Sequence, residues 1–156
     1  MKTKQCPFAF LLGLASFMAG CSPHGSMMDD NGMMKNDNRV YPTNGETIFR
    51  TGKNQEGVVI QDLARSQMSM MGHGCVNCHG SDGGGGMRMM GRTVPSIKFK
   101  DLADPAKHQV PYTEALIKRF LDEELKSDGT PAQTGVAWRL SEQDKEDLIA
   151  FLKTLK

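Results

Sequence analysis

The run Cys75-Val76-Asn77-Cys78-His79 constrains this chain of 156 residues more tightly than anything else in it. Two thiols three positions apart share one side of a helical turn. The imidazole directly after them is carried beneath that side. This is the spacing at which two cysteines add to the vinyl groups of one haem while the next histidine ligates its iron. Cys6 and Cys21 fall in or at the end of a leader segment, so Cys75 and Cys78 are the only cysteines left for the folded part.

Other chemistry uses the same residue types and makes different demands. A thioredoxin-like dithiol wants a strand before the motif and a βα alternation after it. Here Gly72-His73-Gly74 precedes it, and six glycines lie between residues 80 and 91. A zinc site needs four ligands in tetrahedral array, and His73, Cys75, Cys78 and His79 are too crowded along the chain to form one unaided. A disulfide between Cys75 and Cys78 is the plain structural alternative. His73, two residues before Cys75, fits the haem edge or solvent better than the iron.

The compartment follows from the first 21 residues. Lys2 and Lys4 form a basic start, Phe8 to Ala19 an apolar stretch of twelve, and small residues lead to Cys21. That is the layout of a secretory signal, too short to span a bilayer. Met18-Ala19-Gly20-Cys21 resembles the lipobox of bacterial lipoproteins, in which the cysteine is acylated and becomes the first mature residue; Met18 stands where Leu is usual. The alternative is an ordinary cleaved signal with Cys21 as a free thiol. Several acyl chains on Cys21 would hold the chain stably on a bilayer, where one would not. Ser22 resembles outer-membrane sorting rather than inner-membrane retention. The expectation is an exported protein on the periplasmic face of a bacterial membrane.

Loss of Lys2 and Lys4 leaves 17 basic against 18 acidic residues, a net charge of −1. No basic patch points to nucleic acid, and no later apolar stretch is long enough to cross a membrane. With 38% hydrophobic residues in the whole chain, the mature core is lean. A covalently held macrocycle would supply much of its apolar volume.

Three regions are expected: a signal over residues 1–20, a lipid-anchored flexible linker over 21–42, and a single domain over 43–156. The domain should open with a helix from Asn44 to Arg50, capped by Thr43 or Asn44 and ended by Gly52. Residues 57–60 read as a short strand or extended piece. Leu116, Ile117, Phe120 and Leu121 share one helical face after Pro111 and Thr113. The last helix is capped by Ser141, with Asp144 at the capping-box position and Leu148, Ile149, Leu152 and Leu155 along one side. The remainder reads as loop, with residues 83–86 as a flexible glycine segment at the haem edge. No nucleophile with a base at working distance and no phosphate-binding glycine pattern occurs, so no enzyme is expected.

From Gly45 onward the chain resembles the class I c-type cytochromes: a first helix, the Cys75-x-x-Cys78-His79-Gly80 run, a proline segment at Val94-Pro95-Ser96-Ile97, a middle helix, and a last helix from Leu140 to Lys153. The resemblance implies an all-α fold wrapped around one covalent haem, here with long Gly- and Met-rich loops, and with the first and last helices crossing. It implies that the Pro95 carbonyl accepts a hydrogen bond from the His79 ring, and that the protein is a one-electron carrier between redox partner proteins. Two departures stand out. Lys53 to Gly72 insert about twenty residues ahead of the haem motif. In the loop before the last helix, where the family places its methionine ligand, residues 128–138 hold no Met, His or Lys, and Gly135 takes that place.

The sixth iron position therefore has three candidate solutions. A thioether can come from Met68, Met70 or Met71, or from Met87, Met89 or Met90, which would keep a high potential. His108 can ligate and lower it. Otherwise the position is open to water or a small molecule. Ten methionines lie in the mature chain, clustered among polar residues rather than at helical spacing. Met27-Met28, Met33-Met34 and the two Met-x-Met-Met runs, with His24, suit Cu(I), which makes a metal-handling protein the alternative to an electron carrier. Loop methionines packed on haem or partner are the plainer account.

Overall fold

A computed structural model describes residues 39, 41–62, 64–65, 74–89 and 91–156. The signal, Cys21, Met27, Met28, Met33, Met34, Met68, Met70, Met71, His73 and Met90 lie outside the described residues.

Helix α1 spans Asn44–Thr51. The Thr43 hydroxyl accepts from the Glu46 amide at 3.1 Å, occupying a donor that a helix start leaves without a partner. Gly52 ends the helix in the left-handed region at φ 68°, its N–H donating to the Ile48 carbonyl. The amphipathic spacing puts Ile48 and Phe49 wholly inside.

α2 (Val76–His79) is a single turn carrying the cysteine and histidine run. A hairpin of β1 (Arg88–Met89) and β2 (Arg92–Thr93) follows, pairing Arg88 with Thr93 and Met89 with Arg92. α3 (Phe99–Leu102) is again one turn. α4 (Glu114–Glu123) is capped by Thr113 and ends at Glu124. α5 (Glu142–Thr154) begins with a complete capping box: the Ser141 hydroxyl accepts from the Asp144 amide, and the Asp144 carboxyl accepts from the Ser141 amide.

The architecture is helical, with α1 laid across α5 as its main contact. Gly45 permits the crossing: a Cβ there would stand 1.9 Å from the Asp147 carbonyl oxygen. Asn44 Nδ2 donates to both Asp144 and Asp147, at 2.9 and 2.8 Å. Phe49 and Phe151 stack obliquely at 5.2 Å beside it. Ile48, Phe49, Ile60, Leu148 and Leu152 form the larger core cluster, and Leu102, Ile117 and Ile149 a second that draws α3 and α4 onto α5. Lys145, 4% exposed, sits between α4 and α5 with its ammonium on Asp122 and Glu142.

Three readings change. The stretch from 80 to 112, expected as loop, contains β1, β2 and α3, elements too short for a periodic signal. Residues 57–60, read as a short strand or extended piece, form no strand; within them only Val59 makes an isolated bridge, to Lys53. The 83–86 glycines are a hydrogen-bonded strap, not a free loop: Gly85 N–H donates to His79 O, Gly86 N–H to Val94 O, and Ile97 N–H to Gly83 O, all at 2.8 Å.

Candidate haem-binding site

Helix α2 stands on the end of α1, and the approach is so close that Gly74 is obligatory: a Cβ there would lie 2.5 Å from the Arg50 carbonyl oxygen. From that fixed point the turn presents Cys75, Cys78 and His79 to a single large cavity of about 920 Å³. Its walls are mainly apolar, with Leu102, Ile117, Phe120, Leu148 and Leu152 among them. These residues come from α3, α4 and α5, and Leu148, Leu152, Leu102 and Ile117 belong at once to the buried clusters and to the cavity wall.

Neither cysteine is in a disulfide. Burial pushes the Cys75 thiol up to about 12 and raises Cys78 in the same direction. Both are therefore neutral thiols at physiological pH, guarded from stray thiolate chemistry. His79 Nδ1 donates to the Pro95 carbonyl oxygen at 2.9 Å, which leaves Nε2 as the ring nitrogen free to ligate. Burial lowers the His79 pKa, opposed by the Pro95 hydrogen bond, so the ring is neutral and its lone pair available. The glycine strap runs close against the Pro95 carbonyl. A Cβ on Gly85, at φ +71°, would lie 2.4 Å from it.

This donor set fits a haem: two thiols one turn apart, a neutral imidazole locked by its far nitrogen, and an apolar cavity at the upper end of small-molecule site volumes. Among the other candidate ligands, Met89 and His108 line the same cavity. Met89 comes from the hairpin adjoining Val94 and Pro95. His108 meets Tyr112 edge-on at 5.2 Å. Met87 is 45% exposed and does not line the cavity. On another part of the wall lie residues 132–136 and Trp138, including Gly135, with no sulfur or imidazole.

Sequence reasoning missed Gln61 and Trp138. Gln61 is 5% exposed and lines the cavity, brought there by a bridge to Trp138. Nothing in the sequence marks a glutamine within an irregular insertion as buried. No group of three or more His, Cys, Asp or Glu positioned for a metal occurs among the described residues. No described helix is long and apolar enough to cross a membrane.

A mostly helical domain with this site defines a covalent haem-binding protein. The cytochrome c family profile matches residues 42–156, and the chain belongs to the cytochrome c family. Members of that family hold haem c and are typically electron carriers rather than enzymes. No curated protein and no solved structure matches the chain.

Proposed function

We propose that this protein is an exported, membrane-tethered monohaem cytochrome c that passes single electrons between redox partner proteins. Cys75 and Cys78 form the two thioethers, His79 is the proximal iron ligand, and Pro95 fixes the imidazole plane. Haem supplies the reversible one-electron couple; the chain binds it, excludes water from it and sets its surroundings. The observation that carries the reading is the 2.9 Å bond from His79 to Pro95 at the head of a cavity into which both thiols open. The leader and Cys21 support acylation and a place on the periplasmic side, outer membrane rather than inner. Residues between Cys21 and Thr43 then act as the tether, and partners dock at the haem edge near Cys75 and Cys78.

The test is covalency. Haem should stay with the chain through denaturation and acid–acetone extraction, and the pyridine haemochrome spectrum should report thioether-substituted vinyls. Cys75→Ala/Cys78→Ala should release all haem; retention by that variant refutes the assignment. Cys21→Ser should move the protein from the membrane to the soluble fraction.

A second reading, in which the sixth position admits a small molecule, is favoured by one observation: the wall formed by residues 132–136 and Trp138 offers no protein ligand. Met89 and His108 are the candidate ligands that the described residues bring to the cavity. Nothing in the described residues supports a Cu(I) site: of the methionine clusters they include only Met87 and Met89.

A further inference from the structure

Five polar or charged side chains are buried among the described residues: Thr47, Gln61, Asp62, Asp144 and Lys145. Asp144 and Lys145 serve the α5 cap and the α4–α5 junction, and Asp62 binds Arg65 and Arg139 at 2.8 and 3.3 Å. Of the five, only Gln61 lines the haem cavity. Its position is tightly determined. Ile60 N–H donates to Gly52 O at 3.0 Å, Arg139 N–H to Ile60 O at 2.6 Å, and Asp62 N–H to Ala137 O at 2.9 Å. The backbone on either side of Gln61 is thus fastened to α1 and to the strand-like run 137–139. The fastened backbone brings a carboxamide to a largely apolar cavity wall. It carries two N–H donors and an acceptor oxygen, so it can serve a partner within the wall and a ligand in the cavity together.

The surroundings of Gln61 decide what that ligand is. Gln61 pairs with Trp138, at the end of the wall that lacks a sulfur or imidazole ligand. His79, by contrast, is hydrogen-bonded to Pro95, two residues after the hairpin carrying Met89, and to Gly85 of the glycine strap. Glu124, hydrogen-bonded to Thr134, also lines the cavity on the ligand-free run. The one guanidinium in the lining, Arg92, comes from the hairpin. An anion entering this cavity would meet the Glu124 carboxylate on the ligand-free run and find its counter-charge on the hairpin, whereas an uncharged ligand meets an amide and apolar contacts.

We propose that the haem face lined by Gln61 and residues 132–138 is a binding site for a neutral diatomic ligand, with the Gln61 carboxamide donating a hydrogen bond to it. This rests on the covalent-haem reading and deepens the second reading of the sixth position. Retained haem after acid–acetone extraction tests the first independently.

The experiment uses the full-length haem-loaded protein reduced with dithionite, with carbon monoxide as the probe. The wild type should form a carbonyl adduct with a shifted Soret band, and its C–O stretch should move on exchange into D₂O. Gln61→Leu should raise the stretching frequency and speed carbon monoxide loss on the order of threefold to tenfold, the worth of one net hydrogen bond. Gln61→Asn, a shorter carboxamide, should lie between. Azide added to the ferric protein should bind weakly, and Glu124→Gln should strengthen it. Absence of a carbonyl adduct in the wild type overturns the site. An adduct with no deuterium shift overturns the role of Gln61, as does a stretch and loss rate unchanged in Gln61→Leu, and the deuterium measurement stands even if the variants do not fold.

Discussion

Two glycines carry opposite duties at the residue scale. Gly45 allows one helix to lie on another, and Gly85 allows a loop to lie on a carbonyl. Gly45→Ala drives a methyl into backbone that has no room to yield, so it should destabilise the fold by about 3 kcal/mol, the upper range of overpacking. A denaturant titration of the haem-loaded protein measures this. Gly85→Ala acts elsewhere. It strains a left-handed position and pushes on the Pro95 carbonyl, so the His79 ring loses its fixed plane. The expected result is a changed reduction potential and iron–histidine stretching frequency at nearly full haem content. An unchanged potential would mean that the strap does not set the ring.

The helices that the sequence announced are those whose ends are chemically marked and whose faces are long enough to show a period. Thr43 with Gly52, Thr113 with its following apolar pairs, and Ser141 with Asp144 all appear where expected. The hairpin, α3 and the Gln61–Trp138 bridge were not legible, because two to four residues carry no period and an isolated bridge depends on a partner 77 positions away. The haem-attachment residues were legible because their chemistry demands fixed spacing. Gln61 was not, since its burial is made by tertiary packing alone. Ser141→Ala tests the cap: it should cost about 1 kcal/mol, read as a lower melting temperature. Asp144 adds a pH dependence. Burial pushes its carboxyl up, but hydrogen bonds from Asn44, Ser141 and Asn54 outweigh this and hold it below the ordinary value of 3.8. A depressed folded-state pKa gives stability that is full above 3.8 and is lost as pH falls below it. Asp144→Asn should flatten the acid limb of a stability-versus-pH curve.

On the scale of the whole molecule, the cavity is the largest fact about the core. Eight apolar side chains are buried among the described residues, and four of them, Leu102, Ile117, Leu148 and Leu152, line a cavity of about 920 Å³. Cys75→Ala/Cys78→Ala should therefore lose more than colour. The helical circular dichroism of the haem-free chain should fall well below that of the loaded protein, because Ile117 and Phe120 of α4 line the cavity that the macrocycle would fill. A haem-free variant as helical and as cooperative in melting as the wild type would show that the macrocycle is not part of the core.

The crossing of α1 on α5 has a consequence in time. The two helices lie about a hundred residues apart in the chain, yet each is the other's principal neighbour. A polypeptide appearing in a compartment from its N-terminus can make α1, and even the turn bearing the two cysteines, well before α5 arrives to cover them. Until α5 is made, the cluster against which Cys75 packs lacks Leu148 and Leu152. Closure then waits on the final helix, a slow, long-range contact. The order of synthesis thus bears on the order of assembly, since α1 and α2 are made well before the helix that α1 packs on.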